Sequence, residues 1–124
     1  MPPRGGDASH ALEMARSLRG RVHAVNVTDG SRAVMRMSSL AVARLLLEEG
    51  IEPVLQMACR DRNRIAIQAD LLGAHALGIR NLLCLTGDPV RAGDQPKARP
   101  VNELESVRLL QQVTDFNRGD DPVS

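Results

Sequence analysis

Pro53-Val54-Leu55-Gln56-Met57-Ala58, running into Cys59-Arg60-Asp61-Arg62-Asn63, is the stretch whose reading decides the fold. An aliphatic run opened by a proline reads as a β-strand, because proline is tolerated at a strand's first residue. The polar stretch after it is a connection. A helical pattern follows from about Arg64 to Leu77, with Gly78 at its end. The unit is therefore strand, polar turn, helix. It recurs on both sides. Upstream, Val22 to Val27 closes in Thr28-Asp29-Gly30 and leads to a helix from about Ser38 to Glu49, stopped by Gly50. Downstream, Asn81 to Thr86 closes in Gly87-Asp88-Pro89. A long loop from Gly87 to about Asn102 then leads to a helix from about Glu103 to Val113. One further helix, about Ser9 to Leu18, precedes all three units, with Asp7 or Ser9 as its cap.

Strands that alternate with helices at roughly thirty-residue spacing imply βαβ units, a parallel sheet and right-handed crossovers. The pattern predicts an α/β fold with about three parallel strands and flanking helices. By itself it fits a barrel and a doubly wound sheet equally. The chain has 124 residues, whereas a complete (β/α)8 barrel takes about 250. A barrel reading thus predicts a partial barrel over residues 1–116, with 117–124 as a disordered tail.

Composition narrows the function classes. Phe116 is the only aromatic residue, so the core must be built from Leu, Ile, Val, Ala and Met. That suits strands buried in a parallel sheet. It also removes the stacking surface that nucleic-acid binding uses, and the net charge of +1 supplies no basic face. No nucleic-acid partner is expected. No apolar run approaches the ~20 residues of a membrane span, so no membrane partner is expected either. Cys59 and Cys84 form no C-x-x-C pair, and His10, His23 and His75 have no ligand spacing. The expectation is no metal, reduced thiols and a cytoplasmic location.

Parallel α/β enzymes place their chemistry at the carboxyl ends of the strands. Here those ends are Thr28-Asp29-Gly30, Cys59-Arg60-Asp61-Arg62-Asn63 and Thr86-Gly87-Asp88, all projecting from one rim. Gly87 allows close backbone approach, and Asp88 is either a ligand-facing carboxylate or the cap of a turn before Pro89. Thr28 either meets a ligand or serves the turn. Arg60 and Arg62 either hold phosphate or pair with Asp61, Asp70 and other carboxylates. Gln56, mid-strand, needs a hydrogen-bonding partner wherever it points. Cys59 has no histidine placed to activate it as a nucleophile.

Val25-Asn26-Val27-Thr28-Asp29, Arg36-Met37-Ser38-Ser39-Leu40, Cys59-Arg60-Asp61-Arg62-Asn63, Leu71-Leu72-Gly73-Ala74 and Leu82-Leu83-Cys84-Leu85-Thr86-Gly87-Asp88 occur in an order and at a spacing that resemble methylenetetrahydrofolate reductases. The similarity is greatest to the bacterial branch found alone or fused to homocysteine methyltransferase domains. The resemblance implies a partial (β/α)8 TIM barrel comprising the second to fourth βα units. It implies FAD as cofactor and reduction of 5,10-methylenetetrahydrofolate to 5-methyltetrahydrofolate in one-carbon and methionine metabolism. Electrons would come from a reduced nicotinamide or another donor. Carried over by position, Asp88 is the aspartate near flavin and folate, with catalytic and substrate-orienting roles. Thr28 is a flavin-contacting threonine, and Leu85, Thr86 and Gly87 supply backbone flavin contacts. Gln56 stands where many relatives have a histidine. The family's general acid is a glutamate just before a Pro-Pro segment; Pro2-Pro3 matches that segment, but Met1 precedes it. The chain is accordingly expected to be an incomplete, inactive fragment that associates with a complementary barrel piece or with itself. The alternatives are a non-catalytic module that binds flavin, folate or a partner, and a self-contained doubly wound domain.

Overall fold

The computed structural model describes residues 1–120. Four helices and three strands alternate: α1 (Ser9–Leu18), β1 (Val25–Val27), α2 (Ser39–Glu48), β2 (Pro53–Ala58), α3 (Arg64–Ala76), β3 (Asn81–Leu85) and α4 (Ser106–Asn117). Short 3-10 turns at Ser31–Ala33 and Val90–Ala92 interrupt two of the loops. The strands form one parallel sheet in the order β1-β2-β3, with Val25 opposite Pro53 and Val54 opposite Asn81.

This sheet is covered on one face. Side chains alternate along a strand, and Leu55 and Met57 are 1% and 2% exposed. With Val27 they meet Val42, Ala43 and Leu46 of α2, Ile67 and Ala74 of α3, and Leu109 of α4 in a single aliphatic core. Burying a side chain such as Leu55 or Ile67 contributes about 1.5–3 kcal/mol. The opposite face carries Asn26, Val54, Gln56, Asn81 and Leu83, and Leu83 is 42% exposed. A doubly wound sheet has helices on both faces, whereas a barrel wall has them outside only. Neighbouring strands in sequence order, with every helix on one side, make this a section of barrel wall: three consecutive parallel strands with their helices.

Each crossover ends by the same device. At the end of α2, Gly50 N–H donates to Leu47 O and Ile51 N–H to Leu46 O, both at 3.0 Å. At the end of α3, Gly78 N–H donates to His75 O at 3.0 Å and Ile79 N–H to Ala74 O at 2.9 Å. These are Schellman closures. Ile51 and Ile79 are buried, 6% and 7% exposed, and so set the entry of the next strand against the core.

Two elements differ from the sequence reading. The first strand was expected from Val22, yet pairing starts at Val25, because its partner β2 begins at Pro53. Residues before Val25 have no ladder to join, and Val22 is 46% exposed. The last helix was expected from about Glu103 but starts at Ser106. Glu103 is drawn away: its carboxylate accepts the Arg64 N–H at 2.7 Å and pairs with the Arg64 guanidinium at 3.3 Å. Leu104 is buried in the core, and Glu105 then caps α4 by accepting from Val107 and Arg108 N–H at 2.9 and 3.0 Å. The sequence reading put a tail at 117–124; α4 includes Asn117, and residues 121–124 lie outside the described part.

Candidate functional site

The carboxyl ends of the three strands meet at one rim, and two arginines join them. Arg62 follows β2, and its side chain is 16% exposed. Its Nη1 donates to Asp29 Oδ2 at 2.5 Å and to Ala58 O at 2.8 Å, and its Nε donates to Asp70 Oδ2 at 3.0 Å. Asp29, just past β1, also accepts the Ala58 N–H at 2.7 Å. One carboxylate thus bonds the end of β2 directly and again through Arg62. Burial works against the Arg62 charge, but hydrogen bonding to Asp29 and then Asp70 keeps its pKa above the ordinary arginine value.

Arg60 is more deeply placed, its side chain only 6% exposed. It makes a two-bond fork to Asp61, Nε to Oδ1 at 2.9 Å and Nη2 to Oδ2 at 2.7 Å. Nη1 reaches across the rim to Gly30 O at 3.2 Å and Asp88 O at 3.3 Å. The glycines on either side make room for it. A Cβ on Gly30 would stand 2.5 Å from Arg60 Nη2, and one on Gly87 would stand 3.0 Å from Arg60 Cβ. Gly87 also has φ +100, a conformation that L side chains rarely adopt. The Arg60 hydrogen bond holds the Asp61 carboxyl below the usual carboxylate range, against the opposing effect of burial.

The loops beyond the strands pack on this frame. The 3-10 turn after β1 has positive φ at Arg32 (59°) and Ala33 (56°), unfavourable for residues with a Cβ. It is tethered from across the rim: Arg32 N–H donates to Asp88 Oδ2 at 2.7 Å. Met35 N–H donates to Asp94 Oδ1 at 2.9 Å, and Asp94 pairs with Arg4 at 2.9 Å. A cleft of about 240 Å³ remains between residues 29–36 and 90–98, with Arg36 and Arg60 among its lining. A larger cleft, about 600 Å³, lies between α3, α4 and the start of β3, where Leu71, Ile79 and Phe116 line it. It is at the opposite end of the strands and draws on none of the rim residues.

The family model for methylenetetrahydrofolate reductase matches residues 1–121. The chain belongs to this family. It is an oxidoreductase family, and the match spans nearly the whole of the sequence. A search of curated proteins returns no match. Among the described residues no helix is long and apolar enough to cross a membrane.

The residues that the resemblance to methylenetetrahydrofolate reductase assigns to flavin and folate are gathered at the rim or on the sheet's open face. Thr28 follows β1 directly, and its Oγ1 is buried with no hydrogen-bond partner among the described residues. Val27 pairs with Leu55, so Thr28 and Gln56 stand at the same level of the sheet. Gln56 is half-buried, opposite Leu83, and nothing among the described residues bonds its side-chain amide. The Leu85 carbonyl accepts Cys59 N–H at 2.9 Å, leaving Thr86 and Gly87 as the first residues free of the ladder. Thr86 Oγ1 accepts Ser106 N–H at 3.2 Å at the start of α4. Asp88 is exposed, with one oxygen held by Arg32 N–H and its carbonyl by Arg60.

Of the two readings open for Arg60 and Arg62, ion pairing with Asp61, Asp70 and Asp29 is the one found. Cys59 is fully buried, and burial, with Cys84 and Glu105 adding to it, pushes its thiol pKa up. It remains a protonated packing group. Sequence reasoning missed Asp29 as the clamp of β1 to β2. Its position beside Thr28 at a strand end was the available signal, but that was read as turn chemistry. Arg36 and Asp94 carried no local signal, since their partners lie 34 and 59 residues away.

Proposed function

We propose that this chain forms the part of a flavin-dependent methylenetetrahydrofolate reductase that contacts FAD and folate, in the reduction of 5,10-methylenetetrahydrofolate to 5-methyltetrahydrofolate. The observation that carries this reading is Thr28 Oγ1, buried with no hydrogen-bond partner among the described residues, at the same level of the sheet as Gln56. Buried hydroxyls are almost always bonded, so an orphan at a strand end asks for a ligand. These groups fit an amide-rich ring such as isoalloxazine, while the space that a side chain would fill at Gly87 is taken by Arg60 and Ala58.

When bound, FAD supplies the hydride transfer from a reduced nicotinamide or other donor to folate. The chain's own groups bind and orient. Thr28, Gln56 and the Leu85–Gly87 backbone are the groups that would hold the flavin. Asp88, fixed by Arg32 N–H and Arg60, sets the local charge and orients folate as the catalytic carboxylate. The 124 residues alone carry a sheet whose outer edges, β1 and β3, are unpaired among the described residues. We infer that they do not turn over without a complementary barrel piece. A binding module without turnover is the second reading, favoured by the same open edges.

The test is flavin retention. The purified chain is mixed with FAD, freed of unbound ligand, and read by flavin absorbance. Retention is expected, with no folate reduction until a complementary fragment is added. Thr28→Val should weaken retention about tenfold, the value of one lost hydrogen bond to a bound group. The same change should raise stability without flavin, since it removes an unsatisfied buried hydroxyl. A folded chain that retains no flavin overturns the proposal. Retention with no turnover even after complementation selects the binding module.

A further inference from the structure

The turn after β1 sits in a form that its own residues disfavour. Arg32 and Ala33 follow one another with φ of 59° and 56°, and both carry a Cβ. What holds the turn lies in the long loop after β3. Arg32 N–H donates to Asp88 Oδ2 at 2.7 Å, and Met35 N–H donates to Asp94 Oδ1 at 2.9 Å. Between these two bonds the backbones touch. A Cβ at Gly93 would stand 1.8 Å from Ala33 O. The φ of Gly93 is −106°, open to any residue, so glycine is needed there for the close approach alone.

The long loop is itself tied at two points to one residue. Arg60 Nη1 donates to Asp88 O at 3.3 Å, and Arg60 O accepts Val101 N–H at 2.7 Å. Val90 is buried just past the first tie, and residues 94–100 are exposed up to the second. A segment tied at both ends, and resting on its neighbour through Gly93 and Asp94, is built as a strap.

We propose that residues 89–100 are a two-state strap, closed on the turn at 31–35 or open, and that the strained turn exists only in the closed state. Closing sets backbone strain at Arg32 and Ala33 against two carboxylate–amide bonds. The opposing effects are comparable in size, so a small change shifts the balance. On opening, Arg32 and Ala33 return to ordinary φ and the Arg32 amide leaves Asp88. The cleft beside Arg60 then loses the wall that Gln95 and Ala98 supply. The strap thereby sets whether Asp88 Oδ2 is bound or free. What that means for a folate-facing carboxylate rests on the flavin and folate reading; the strap itself does not.

Amide hydrogen exchange on the 15N-labelled chain tests this, with no flavin or folate present. The Arg32 and Met35 amides should open together, and faster than those of Ile51 and Ile79. Asp94→Ala removes the acceptor of Met35 N–H and leaves the Arg32–Asp88 bond in place. A strap that opens as a unit should nevertheless lose protection at the Arg32 amide, about tenfold, the value of one hydrogen bond. Ala33→Gly relieves the strain of the closed state and should slow both amides about fivefold. Unchanged exchange at Ile67 and Leu109 shows that the core is intact in each variant. An Arg32 amide unmoved by Asp94→Ala overturns the proposal, because the two bonds then open independently. Ala33→Gly with no slowing at either amide also overturns it. Should Asp94→Ala not fold, Ala33→Gly decides alone.

Discussion

Replacing Arg62 with leucine tests whether the rim is held by a buried ion pair or by the packing beneath it. The side chains of Arg62 and Asp29 are only 16% and 11% exposed, so this is not a solvated surface pair. Arg62→Leu keeps much of the apolar stem but leaves the Asp29 carboxylate with a single donor, Ala58 N–H. It also strands the Ala58 carbonyl, which Arg62 meets at 2.8 Å. Breaking one partner of a largely buried pair costs about 3–5 kcal/mol. The bond to Asp70, whose side chain is 37% exposed, adds at most about 1 kcal/mol. The expected loss is thus about 3–5 kcal/mol, a large share of the roughly 5–15 kcal/mol of an ordinary domain. Urea unfolding followed by circular dichroism measures it, with the slope in urea checked for constancy. Asp29→Asn combined with Arg62→Leu should recover part of the loss, because no charge is then buried alone. A single-variant loss below about 1 kcal/mol, with no coupling in the double variant, would refute the argument.

Three further outcomes follow from the same geometry. Gly87→Ala should cost about 1–3 kcal/mol in thermal unfolding, since φ +100 disfavours a side chain and the new methyl presses on Arg60 Cβ at 3.0 Å. Asn63→Ala should cost about 1 kcal/mol, because the Asn63 side chain accepts Ala66 N–H at 3.0 Å and caps α3. The Asp61 carboxyl is held below its unfolded value, so its contribution is present above the ordinary aspartate range and lost as pH falls through its lower folded value. Comparing urea midpoints at pH 7 and pH 3, the unaltered chain should lose more than Asp61→Asn. The difference should be small, since the Asp61 side chain is 54% exposed.

The parts of this fold legible in the sequence were those fixed by local chemistry. Pro53 opens β2, and Gly50 and Gly78 end α2 and α3, each where its residue type predicts, whereas Asn63, read only as part of a polar turn, proves to be the cap of α3. The misplaced boundaries were set by distant partners. The length of β1 depends on where β2 starts, and the start of α4 depends on Arg64 recruiting Glu103 from 39 residues away. The rim followed the same rule. The convergence of Thr28, Gly87 and Asp88 could be read from strand ends, and so could the choices open to Arg60 and Arg62. Which choice they took could not, because it required Asp29 and Asp70 to be within reach. Exclusion of one face of the sheet from the helices was likewise invisible, since Val54, Gln56 and Leu83 look like any strand interior in the sequence.

The paired closures at Gly50-Ile51 and Gly78-Ile79 bear on how the molecule opens. Ile51 and Ile79 each donate to the last turn of one helix while their side chains anchor the strand that follows. Fraying of α2 or α3 from its carboxyl end therefore pulls on β2 or β3. Helix and strand should exchange their amide hydrogens as one block, with the Ile51 and Ile79 amides among the slow ones. The link from α1 to β1 has no such lock: it runs through exposed Arg21, Val22 and His23. What holds α1 is instead Arg16 and Arg19 on Glu49 and the packing of Leu12 and Ala15, so its amides should exchange as a block of their own, separate from the two later ones.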